Sequence, residues 1–251
     1  MANFHVVAGS TETIAPLRVR HIAFADVLDA LRAGFADFWE KPSHYVFLCI
    51  IYPILGMVLI TWASTGNALQ LIFPLIAGFA LLGPLAAIGL YEISRRRQSN
   101  MDTSWLHAFD VLKSPAIPSI MAVGGMLAVI FLVWLFTAQT IYARIFGPAA
   151  PESFIGFIQE VLTTQRGWML LFWGNLIGFL FALVVLSTTS VAFPLLLDRD
   201  VGAYAAIQTS ARVMLTNPLQ MLFWGLIAAA LLVVGSLTLF VELAVMCPVL
   251  W

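Results

Sequence analysis

Charge is scarce in this chain: Lys, Arg, Asp and Glu make up 10% of its 251 residues, 12 basic against 13 acidic. A net charge of −1 leaves no cationic surplus from which to build a phosphate-binding face, which excludes nucleic acid as a partner. Cysteine is also sparse. Cys49 and Cys247 both lie inside apolar segments, where an isolated thiol behaves as a small hydrophobe, so no disulfide framework is expected. The four histidines, His5, His21, His44 and His107, fall outside the apolar runs, so an intramembrane haem or copper centre built on facing imidazoles is not expected. His-Glu-x-x-His, paired-Cys, Walker and Gly-x-Ser-x-Gly motifs are all missing. These gaps predict no metal, no cofactor and no enzymatic activity.

Apolar residues, by contrast, reach 61%, more than a soluble core of this length can hide, so the chain reads as a polytopic membrane protein. A span needs about 20 mostly apolar residues to cross about 30 Å of hydrocarbon. Segments 45–64, 69–91, 117–139 and 168–190 qualify cleanly. The run 219–251 is too long for one span and too short for two, and Gly235-Ser236 is expected to open a turn between a fifth span and the start of a sixth. Because the last residues, Val249-Leu250-Trp251, are still apolar, either truncation within that sixth span or a continuation is expected. The expected fold is all-α, a membrane helical bundle of five complete spans and a partial sixth, forming a single integral membrane domain over 1–251. Residues 1–25 are polar and hold no signal-peptide core, so span one itself is expected to direct insertion.

Positive charge orients the bundle. Ten of the twelve basic residues fall in three segments that share one side if the spans alternate: Arg18, Arg20, Arg32 and Lys41; Arg95, Arg96, Arg97 and Lys113; Arg199 and Arg212. Only Arg144 and Arg166 lie in the opposite loops. Short basic segments translocate poorly, so the amino terminus is expected on the cytoplasmic side.

A repeated pattern accompanies the spans. Amphipathic stretches 26–40, 102–113 and 202–217 each precede an odd span and close in a proline: Pro42, Pro115 and Pro218. Leu28, Leu31, Phe35, Phe38 and Trp39 share one helical face of the first, which predicts a rod lying flat on the membrane until proline forces the corner into the span. Segments 26–92, 102–197 and 202–251 thereby read as three parallel hairpin repeats. On the outer side, the linker 140–167 is expected to hold a short amphipathic helix built on Phe154, Ile155, Phe157, Ile158 and Val161. Trp39, Trp105, Trp134, Trp168, Trp173 and Trp224 read mostly as interfacial anchors.

Three stretches carry a resemblance: Ala30-Leu31-Arg32-Ala33-Gly34-Phe35-Ala36-Asp37-Phe38 with Pro42; Gly83-Pro84-Leu85-Ala86-Ala87-Ile88-Gly89-Leu90-Tyr91-Glu92-Ile93-Ser94-Arg95-Arg96; and Phe193-Pro194-Leu195-Leu196-Leu197-Asp198-Arg199. Over nearly its whole length the chain resembles a family of bacterial integral membrane proteins catalogued as domain of unknown function 2189. Members of that family generally continue with a His- and Trp-containing segment and a basic end, which this chain lacks. The resemblance implies a bacterial inner membrane and carries over no catalytic residue.

Two groups of polar residues stand out against this background. Asp37, Glu92, Arg95, Arg96, Arg97, Asp198 and Arg212 gather on the cytoplasmic side, where Glu92 can pair with Arg95 or Arg96 and the set can meet lipid headgroups or dock a partner. Asn175, Thr188, Thr189 and Glu242 lie within apolar runs and form a candidate intramembrane polar site. Asn175, beside Gly174 and Gly178, also reads as a helix-packing amide, and Glu242 as the outer turn of a fifth and sixth span pair. The functional expectation is a non-catalytic scaffold, accessory or assembly factor for another membrane protein complex or a lipid of the bilayer. The alternative is a small transporter or permease whose Pro53, Pro74 and Pro84 kink spans around a central polar site.

Overall fold

A computed structural model describes residues 19–40, 56–59, 61–63, 68–81, 88, 91–92, 96, 101–102, 114–199 and 201–237. Every regular element among them is helical. In chain order these are α1 (Phe24–Glu40), a 3-10 turn (Leu69–Leu71) leading into α2 (Ile72–Leu81), α3 (Ile117–Phe146), α4 (Phe154–Thr163), α5 (Gln165–Thr189), α6 (Ala192–Asp198), α7 (Ala203–Thr216) and α8 (Pro218–Leu237). The chain divides into two compact units: Met1–Pro53, Gly83–Met126 and Leu186–Trp251 form one, Ile54–Leu82 and Leu127–Val185 the other.

α3 is the longest single helix, 30 residues or about 45 Å at 1.5 Å per residue. Its buried residues Ile120, Val123, Leu127, Trp134, Ala138 and Tyr142 follow one another at steps of three, four or seven and so form one stripe. It runs two turns past the expected limit at residue 139, because Tyr142 and Arg144 end the apolar run without breaking a helix. Gly147, at φ +96°, and Pro148 end it.

In the second unit, Ala63, Ala68, Ile72 and Leu75 make a small core flanked by Phe131 and Leu135 of α3. Trp134 is buried here, so its expected place as an interfacial anchor is corrected: its Nε1–H donates to the Pro74 carbonyl of α2 at 2.9 Å, and its ring packs on Phe181 of α5. Gly178 of α5 makes room for it, since a Cβ there would lie 3.1 Å from the indole. The Tyr142 hydroxyl donates to the Ala149 carbonyl at 2.9 Å, and its ring meets Phe146 and Phe157, which fixes the turn into α4. Ser153 caps α4 by accepting from the Gly156 N–H.

The first unit is built around a helix break. Pro194 has no N–H and its ring would clash with the carbonyl of Ser190, so α5 stops at Thr189 and α6 restarts with Pro194 in its first turn. Ser210 of α7 covers the gap: its hydroxyl lies 3.1 Å from that of Ser190 and accepts from the Val191 N–H at 3.3 Å. Close approach is possible because α7 presents Ala203, Ala205, Ala206 and Ser210 as its buried face to Ala192, Phe193 and Leu196 of α6. At Pro218 the chain turns by 105° from α7 into α8, a corner where a proline was expected to make one. α8 then passes through Gly235 and Ser236 without a turn, which corrects the break expected there: neither residue prevents helical hydrogen bonding, and apolar neighbours carry the helix on to Leu237.

Among the described residues, two helical segments, Ile117–Phe146 and Gln165–Asp198, are long and apolar enough to cross a membrane, and the bent pair α7 and α8 supplies a third if counted as one span. The first expected span is described only at 56–59 and 61–63 and the second mainly at Leu69–Leu81; the sixth, the stretch 103–113, Cys49, Cys247, His5, His44 and His107 lie outside the described residues.

Candidate functional site

The set of polar residues expected on the cytoplasmic side divides by its surroundings. Glu92 is buried and accepts from Arg96 Nε, four residues on, at 2.9 Å. Asp198 is exposed and pairs with its neighbour Arg199 at 3.3 Å, and Arg212 lies on an exposed face of α7. Asp37 sits in α1, but its side chain, like all of Arg95 and Arg97, lies outside the described residues.

The described residues of the set expected within the membrane differ in exposure. Thr189 is buried at the end of α5, Thr188 is half-buried, and Asn175 is exposed on α5 and donates to the Leu171 carbonyl of its own helix at 2.7 Å. That bond uses one amide hydrogen within the helix. Gly178 does abut another helix through Trp134, whereas Gly174 faces open space. Glu242 lies outside the described residues.

Two polar centres escaped the sequence reading. In the second unit Gln70 Nε2 donates to Gln139 Oε1 at 3.0 Å; Gln70 is 9% exposed, and its own Oε1 is buried without a hydrogen-bond partner among the described residues. A signal existed, because alternating spans bring the start of segment 69–91 and the end of 117–139 to the same side. In the first unit Asn217, at the α7–α8 corner, accepts from the Ile22 N–H at 2.8 Å and donates to the Arg20 carbonyl at 3.0 Å. Phe24 of α1 packs edge-on against Phe223 of α8 beside this clamp. Only the Asn-Pro pair hinted at it. Amides and hydroxyls of this kind hold helices together by neutral hydrogen bonds and do not ionise at neutral pH. No cluster of three His, Cys, Asp or Glu suited to a metal ion occurs among the described residues.

Helices long enough to cross a bilayer and apolar on their outer faces define a helical integral membrane protein. The chain belongs to the family described as predicted integral membrane protein, DUF2189, which matches residues 72–198. That match contains the Gly-Pro-Leu and Phe-Pro-Leu stretches on which the resemblance rested, and not the stretch near Asp37. No curated protein and no solved structure matches the chain.

Proposed function

We propose that this protein is a non-catalytic scaffold of the bacterial inner membrane, an accessory or assembly factor that holds another membrane protein or a lipid. The observation that carries the reading is the bareness of α5: only 6% of its most apolar stretch is buried, against 28% for α3. Apolar helix surface on that scale is stable only against acyl chains or another membrane-embedded helix. In the full architecture five complete spans and part of a sixth stand on three in-plane helices, α1, 102–113 and α7, as three parallel repeats with the amino terminus in the cytoplasm. The 105° corner at Pro218 supports that arrangement. Asp37, Arg95, Arg97, Asp198 and Arg212 form its cytoplasmic docking plate, with the Glu92–Arg96 pair as an internal strut.

The buried, unpaired Oε1 of Gln70 favours the transporter as the second reading, with the Gln70–Gln139 pair lining its polar site. Purification from native membranes in mild detergent separates the two. A scaffold co-purifies with a stoichiometric membrane protein or lipid and loses it when Arg212 and Asp198 are reversed in charge. A chain that migrates alone, while vesicles containing it move a solute and Gln70→Leu stops the movement, overturns the scaffold.

A further inference from the structure

The bare face of α5 has an internal order. Trp168, Phe172, Asn175, Phe179 and Ala182 follow one another at spacings of four, three, four and three, the heptad seam that two helices use to pack along their length. Trp168, Phe172 and Phe179 are 60%, 63% and 55% exposed, and Asn175 between them is exposed as well. Asn175 lies ten residues into a 25-residue helix, about 15 Å from its start, which is mid-depth if α5 spans the bilayer. One amide hydrogen is used on the Leu171 carbonyl. The carbonyl oxygen and the second hydrogen have no bond to a described residue, a costly state in hydrocarbon.

Copies of one chain enter a membrane in one orientation, so a two-fold axis between them stands along the membrane normal and every seam residue meets its twin at its own depth. A carboxamide is both donor and acceptor, and its twin therefore satisfies it. A different partner would need a polar group of its own at this same depth. We propose that α5 is a homodimerisation helix, with a second copy of this chain seated on the Trp168-Phe172-Asn175-Phe179-Ala182 seam and the two Asn175 amides hydrogen-bonded to each other. The dimer rests on reading α5 as a span and adds to the scaffold a self-association that the scaffold itself does not require.

Single cysteines in a Cys49→Ala, Cys247→Ala background test it by oxidative crosslinking in native membranes. Phe172→Cys, Asn175→Cys and Phe179→Cys should yield crosslinked dimer. Trp173→Cys and Leu180→Cys, equally lipid-facing at 47% and 53% exposure but on the far side of the helix, should stay at background. Subunit counting in phosphatidylethanolamine and phosphatidylglycerol vesicles should show dimers that Asn175→Leu weakens roughly tenfold and Asn175→Gln largely keeps. Equal crosslinking on both faces, a monomeric wild type, or an Asn175→Leu protein that dimerises like wild type overturns the dimer. Labelling of Asn175→Cys by a membrane-impermeant maleimide on sealed vesicles would overturn the span reading and the dimer with it. Protection from that reagent without seam crosslinks removes the dimer alone.

Discussion

Asn217 shows how much one side chain can organise in a molecule with few polar groups. It is 2% exposed, stands where α7 gives way to α8, and holds the backbone of Arg20 and Ile22 through both ends of its amide. Asn217→Ala leaves a donor and an acceptor of the amino-terminal segment without protein partners and is expected to lower stability by about 1–3 kcal/mol. Thermal unfolding in detergent would measure that loss, and limited proteolysis should then cut first near residues 19–23. Asn217→Asp keeps an acceptor for the Ile22 N–H but turns a second acceptor toward the Arg20 carbonyl, so it should rescue little. None of this was legible, because an Asn before a proline is also an ordinary turn residue. The pairing of Glu92 with Arg96 was legible, since i and i+4 are neighbours on any helix. Trp134 was misjudged: tryptophan favours interfaces, but here a carbonyl of α2 within reach of its N–H satisfies it in the interior.

Among the elements, hydropathy located α3, α5 and α8 and missed where they end. Span limits follow from apolar content, whereas helix limits follow from backbone chemistry, and the two part company at Tyr142, Gly147 and Gly235. The break before α6 was half visible, since Pro194 was noted but the turn it forces at residues 190–191 was not. What makes that break tolerable is supplied from elsewhere in the chain, by Ser210 of α7. Ser210→Ala removes the acceptor of the Val191 N–H in a site with little water and should cost about 1–2 kcal/mol. The expected sign is a lower unfolding midpoint together with faster hydrogen exchange at Val191. The joint between α4 and α5 is equally specific: a Cβ on Gly167 would overlap the Val161 carbonyl, so Gly167→Val should separate the two helices and lower the yield of folded protein.

For the whole molecule, membrane character and helical class were readable from composition, while the number of spans depends on how the basic loops are distributed. Reporter fusions provide the direct measure: alkaline phosphatase at residues 101 and 200 should be inactive and at residue 150 active, with fluorescent-protein fusions giving the reverse. Fusions at 101 and 200 that report opposite sides would remove the paired crossings on which the repeats depend. The clamp at Asn217 has a further consequence for how the chain comes into being. Its bonds join residues 195 and 197 positions apart, so helix α1 leaves the ribosome long before the residue that fastens it exists. The docking of the amino-terminal helix at this corner therefore belongs among the last events of folding.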